Sequence, residues 1–310
     1  MSNVVGKKGI SSLKVQGRLL RSWGSFLLAL LCVAGLGAVT FGLLVEFLPG
    51  SLRFVGPAVL ISLVLTALLL GFNEKLVIMG MGLKPLKEEK DQPKLWRAVV
   101  RACGEHKLPR IYVMPEPGMN AFAFGLFGGA VAATTGIIKN LNDDELAAVM
   151  AHEVGHLRNR DILVSMFLTG TVMMFAILGW LVKEFSIMAP SKDGKDSSFK
   201  RYVVGILIGG AIYTIARFAV HMLQLFVSRE REYAADAMSA KIMGSTEPLK
   251  SALAKISTNP RVSSSAAASA AVGFLCTADP MPSVDKKLAE FFSTHPSMEN
   301  RFKALEALQS

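Results

Sequence analysis

His152-Glu153-Val154-Gly155-His156 is the part of this chain whose residue types and spacing suit chemistry best. Two histidines four residues apart share one face of a helix, so two imidazoles can grip one ion together. The glutamate beside the first histidine is turned about 100° away, towards a water rather than onto the ion. Two neutral nitrogen ligands, an open coordination position and an adjacent carboxylate are the parts that zinc-dependent peptide hydrolysis needs, with Glu153 as general base. The chain has five histidines in all. The bland alternative is an exposed helix carrying two solvated histidines.

Local context favours the chemical reading. Asn142 followed by Glu145 has the form of a capping box, and Asp143, Asp144 and Glu145 place negative charge in the first helical turn. Leu146, Val149, Met150, Val154 and Leu157 recur at helical spacing, which gives the segment a buried face. A third protein ligand is still required. The histidine that some zinc proteases carry six residues beyond the second is absent, since position 162 is Ile. In Ser228-Arg229-Glu230-Arg231-Glu232-Tyr233-Ala234-Ala235-Asp236, Glu232 and Asp236 are one helical turn apart with two small alanines between them. Glu232 is the expected third ligand. Asp236 is expected to hold a ligand histidine by hydrogen bond. Glu230 is the rival ligand, but no aspartate follows it four residues on.

The elements that must position these groups include several apolar runs. Of 310 residues, 51% are hydrophobic and the mean hydropathy is +0.41. Trp23–Val45, Phe54–Phe72 and Ile162–Val182 are each long enough to cross a hydrocarbon core, and Tyr202–Ala216 is a shorter fourth run. The first run is too long for a cleaved signal peptide and reads as a retained anchor. Lys7, Lys8, Lys14, Arg18 and Arg21 precede it, and Lys75, Lys84, Lys87 and Lys90 follow the second. Basic flanks stay cytoplasmic, which places the N-terminus and residues 73–161 inside. Because His152, His156 and Glu232 must meet, the two runs between them must form a hairpin. The net charge of +10 belongs largely to these flanks, and no basic-aromatic nucleic-acid module is present. Three scattered cysteines fit a reducing compartment.

The expected fold is a mainly α membrane protein: transmembrane helices plus a cytoplasmic zincin-like α+β protease domain with a small sheet. Residues 1–80 form a basic tail and hairpin, and 81–161 the sheet and His-bearing helix. Residues 162–226 form a second hairpin, and 227–310 the third ligand and C-terminal helices. The fourth run is expected to continue as one helix into Asp236, with Arg217, His221, Gln224 and Ser228 on the same stripe. Arg110–Met114 reads as a strand, and Asn120–Gly125 with Ala130–Ile138 as a hairpin around Gly128-Gly129. An edge strand beside a zinc helix can take a peptide in extended form, so Asn120, Ala121, Phe122, Ala123 and Phe124 are the candidate substrate edge. Thr246–Thr258, Asp285–Phe292 and Met298–Leu308 read as helices, and Val262–Val272 as a Ser/Ala-rich loop and candidate self-cleavage segment.

Asn120-Ala-Phe-Ala, Thr135-Gly136, Asp144-Glu145-Leu146, Ala151-His-Glu-x-x-His with Asn159-Arg160-Asp161, Arg231-Glu232-Tyr-x-Ala-Asp236 and Thr294-His295-Pro296 follow one another in order. Together they resemble the HtpX-type heat-shock membrane proteases, relatives of the CAAX prenyl proteases, over nearly the whole chain. The resemblance implies one zinc per chain, bound by His152, His156 and Glu232, with Glu153 as base. It also implies a multi-pass bacterial inner-membrane endopeptidase with a cytoplasmic active site. Misfolded membrane proteins are the implied substrates, and other membrane quality-control proteases are candidate partners. Phe124 departs from the family, which often has a small polar residue before this glycine. Tyr233 and His295 are candidate oxyanion donors. The alternative from another class is a non-catalytic membrane scaffold or chaperone adaptor with a structural zinc, which would not require Glu153.

Overall fold

The computed structural model describes residues 12–47, 60, 64, 74–75, 77–125, 128–165, 167–168, 171, 194–258 and 296–309. Its helices are α1 (Ser12–Phe47), α2 (Pro93–Cys103), α3 (Thr135–Asn140), α4 (Asp143–Arg158), α5 (Gly194–Met243), α6 (Glu247–Thr258) and α7 (Met298–Gln309). Its strands are β1 (Lys84–Leu86), β2 (Arg110–Met114), β3 (Ala121–Phe124) and β4 (Ala130–Thr134). The chain divides into two compact units. One comprises residues 1–25, 73–163 and 225–310, and contains the sheet and every candidate site residue. The other comprises 26–72 and 164–224; within it the Phe26 and Phe167 rings meet edge-on at 6.0 Å.

The sheet runs β1-β2-β4-β3, with β2 and β4 parallel and the outer pairs antiparallel. Alternation along the strands makes two apolar faces. Ile111, Ala121, Ala123, Val131 and Ala133 join the main helical core, while Tyr112, Met114, Phe122, Phe124 and Ala132 pack with Val77, Met81 and Leu83. The expected hairpin forms, but its second strand ends at Thr134 rather than Ile138. Thr134 accepts a hydrogen bond from the Ile137 amide and so caps α3. Gly136 is required there: a Cβ would lie 2.0 Å from the Pro117 carbonyl oxygen. The β-branched pair Ile137-Ile138 has strand propensity, and the cap overrides it.

α2 starts with proline at its first position and buries Leu95, Ala98, Val99, Ala102 and Cys103 against the central helix. That central helix is α4, buried continuously from Glu145 to Gly155. The expected capping box is present: the Glu145 amide donates to Asn142 Oδ1 at 2.9 Å, and the Asn142 amide donates to Glu145 Oε2 at 2.8 Å. Ser251 Oγ at 2.6 Å and Lys255 Nζ at 2.7 Å also donate to Glu145, which ties α6 to the start of α4.

The fourth apolar run does continue into the Glu232 segment, as one 50-residue helix that begins at Gly194, inside the stretch expected to link two spans. The side chains of Arg217, His221 and Gln224 lie outside the described residues, as do the segments 262–272 and 285–292. Trp23–Val45 falls within α1 and Tyr202–Ala216 within α5, while Phe54–Phe72 and Ile162–Val182 lie mostly outside the described residues. Among the described residues no helix is long and apolar enough to cross a membrane, so the expected crossings are not displayed there.

Candidate metal centre

α4 and α5 supply the site. Ala234, Ala235, Ala237 and Ala240 line the buried face of α5, and Ser239 Oγ donates to the Ala148 carbonyl of α4 at 2.7 Å. Gly155 completes the close approach. A Cβ there would meet Ala235 Cα at 3.3 Å and Met238 Cβ at 3.4 Å. Small residues on both helices thus bring Glu232 to the histidines.

His152, His156 and Glu232 present ligand atoms that lie within 4.8 Å of one another. The two Nε2 atoms are 3.0 Å apart. Glu232 Oε2 is 3.5 Å from His152 Nε2, and Oε1 is 3.4 Å from His156 Nε2. Ligands at about 2.0–2.1 Å from a tetrahedral zinc ion stand roughly 3.3 Å apart, so the spacing fits such an ion. Glu230 is not among the converging groups.

The histidine tautomers support the same fit. His152 Nδ1 lies 2.9 Å from Asp236 Oδ1, and His156 Nδ1 lies 2.6 Å from Asp161 Oδ2. Carboxylates on the Nδ1 side place the N–H there and leave a lone pair on each Nε2. Two lone pairs aimed at each other across 3.0 Å beside a carboxylate are what a shared cation satisfies. Without a cation the pocket favours protons. Burial opposes the charged imidazole, but Asp236 and Glu232 outweigh burial at His152 and hold it above its ordinary value. At His156, Asp161 and Glu232 outweigh burial and hold the ring well above it.

Three further residues complete the site, and none was assigned a role from the sequence. Asp161 bridges His156 to Arg231 Nη1. It is brought there by a tight turn in which Arg160 adopts a φ of 56°. Arg301, from α7, grips Asp236 with two nitrogens: Nε to Oδ2 at 2.9 Å and Nη2 to Oδ1 at 2.6 Å. Its Nη1 lies 3.7 Å from Glu232 Oε2. Burial penalises the Asp236 carboxylate, but Arg301 and His152 outweigh it and hold its pKa below the usual carboxylate value. A signal for Arg301 was available, since Arg301, Leu305 and Leu308 share one buried stripe on which a charged residue is out of place.

The sequence signature of peptidase family M48 matches residues 86–309. The chain belongs to peptidase family M48. Curated relatives named "Protease HtpX homolog" agree. The protein from Syntrophobacter fumaroxidans is 31% identical over 76% of this chain and 83% of its own. The one from Tropheryma whipplei is 34% identical over 76% and 79%, and that of Leuconostoc citreum 32% over 91% and 93%. The crystal structure of S. mikatae Ste24p shares the fold, with a TM-score of 0.52 at 17% identity over 92% of this chain and 66% of that one. The resemblance to HtpX-type proteases therefore holds, and the M48 chain is a metallopeptidase.

Glu153 is buried on α4 beside His152. β3 is an edge strand of the sheet, yet Ala121, Phe122, Ala123 and Phe124 are all buried, as is Asn120. Phe124 packs against Tyr112 and Phe122 with ring centroids 5.4 and 5.7 Å away, so its bulk fills a core. Tyr233 faces α1, with the Arg18 guanidinium 5.1 Å from its ring centre. That contact gives the Tyr233 ring a structural partner. His295 lies outside the described residues.

Proposed function

We infer that this M48 chain is a zinc-dependent membrane endopeptidase that hydrolyses misfolded or damaged membrane proteins in quality control and stress. The observation that carries the reading is the convergence of His152, His156 and Glu232 beside a buried, non-ligating Glu153. A set of two imidazoles and one carboxylate suits zinc. When bound, zinc supplies a Lewis acid that polarises a carbonyl and a potent nucleophile at neutral pH. Glu153 takes the proton from the attacking water and returns it to the leaving amine. Asp236 and Asp161 keep the ligand rings turned to the ion. β3 is an edge strand, and the substrate-edge reading rests on its backbone pairing an extended peptide rather than on its buried side chains.

The membrane setting is supported by four apolar runs, and the lysine-rich flanks of the first two orient the N-terminus and the site to the cytoplasm, although the basic 183–201 linker weakly opposes that orientation. The deciding experiment compares cleavage of an unfolded membrane-protein substrate by zinc-loaded wild type and Glu153→Gln in detergent. Loss of cleavage with one zinc per chain retained is the expected result. Equal cleavage by the variant would remove Glu153 from the mechanism, and the scaffold reading would gain if neither form cut.

A further inference from the structure

Each ligand histidine has a carboxylate behind it and a guanidinium behind that: His156–Asp161–Arg231 and His152–Asp236–Arg301. The second arm is the more constrained. Arg301 is fully buried and engages both oxygens of Asp236 with two nitrogens of its planar fork. It comes from a helix whose own stripe, completed by Leu305 and Leu308, would accept an apolar side chain. A buried ion pair is seldom more stabilising than apolar packing of the same volume. A two-point grip does something apolar packing cannot: it fixes the plane of the carboxylate.

We propose that Arg301 is a positioning residue of the metal centre, acting through Asp236 to aim His152 and, from its remaining nitrogen, facing the ligand Glu232. The proposal rests on the zinc reading above. It competes with a simpler role as counter-charge. Among the described residues, Glu153, Asp161, Glu232 and Asp236 are four buried carboxylates around the histidines, against the two buried guanidiniums of Arg231 and Arg301. That leaves two negative charges, which one divalent ion balances. If Arg301 were counter-charge alone, its removal would make the pocket more negative and bind a cation more tightly. If it positions Asp236, removal must weaken binding. The two roles predict opposite signs.

The experiment is zinc affinity of the full chain in detergent, measured by competition with a chromophoric chelator. It uses wild type, Glu232→Gln, Arg301→Met, Arg301→Lys, Asp236→Asn and the Arg301→Met/Asp236→Asn pair. Loss of an outer partner of a ligand typically costs 10- to 100-fold in metal affinity, and that loss is expected for Arg301→Met. Arg301→Lys keeps the buried charge but not the fork, so it guards against a folding failure and should also lose affinity. In the paired variant Arg301→Met should add little to the effect of Asp236→Asn, because the arginine acts through the aspartate. Unchanged or tighter zinc binding in both Arg301 variants would overturn the proposal, as would additive losses in the pair. A wild type that binds no zinc, or binds it equally after Glu232→Gln, would overturn the zinc reading and this inference together. Normal wild-type binding with insensitive Arg301 variants would overturn the inference alone.

Discussion

At the scale of single residues, ligation and proton transfer are separable. Glu153 is adjacent to a ligand but is not among the converging metal-ligating groups. Glu153→Gln is therefore expected to lower kcat by about 10²- to 10⁴-fold while zinc content, read by elemental analysis, stays at one per chain. Glu232→Gln should do the reverse first and lose the metal. The converging set of His152, His156 and Glu232 was legible because a helix converts a spacing of four into a shared face, and because Glu232 and Asp236 repeat that spacing. Arg231 and Arg301 were not assigned because their partners are set by tertiary packing, and Asp161 because it reaches His156 only through the left-handed turn at Arg160. Arg301 lies 65 residues from the Asp236 it grips, a separation that no local pattern encodes.

At the scale of elements, the approach of α4 and α5 sets the distance from Glu232 to the histidines. Gly155→Val would push on the backbone of Ala235, so zinc affinity should fall more steeply than helix content measured by circular dichroism. The start of α4 carries a pH-dependent term. Burial opposes the charge on Glu145, but Lys255, Ser251 and the Asn142 amide outweigh it and hold its pKa below the ordinary value. A lowered folded-state pKa contributes stability above the unfolded carboxylate range and loses it as pH falls through the folded value. Gln keeps the capping box but loses the charged bond to Lys255, so Glu145→Gln should cost about 1–3 kcal/mol near neutrality, with the Tm difference from wild type shrinking in acid. Turning to the C-terminal end of α4, Arg160 holds a left-handed conformation that glycine adopts freely, so Arg160→Gly should gain about 1 kcal/mol. The sequence showed α4, α6 and α7 through periodicity and caps. It missed β1, whose three residues carry no pattern of their own, and α2, and it ran β4 past the cap at Thr134.

At the scale of the molecule, the centre joins segments far apart in the chain: α4, the end of α5, and α7. A ligand that binds the folded but not the unfolded state adds stability by mass action. Chelation should therefore lower the Tm of wild type, and Glu232→Gln should start at the lower value and show no further drop. The unit that contains the site is assembled from three stretches of chain, and α1 enters it through Lys14 on the Ala307 carbonyl at 2.8 Å and Arg18 over Tyr233.

The order in which these side chains are synthesised gives the Arg301 contact a meaning in time. A ribosome exposes His152, His156 and Glu232 well before Arg301, which follows Asp236 by 65 residues. At about 5–20 residues per second that interval is roughly 3 to 13 s. A metallopeptidase is itself an unfolded polypeptide while it is being made. With Asp236 unbraced until α7 arrives, the growing chain passes through its most vulnerable period without a finished blade.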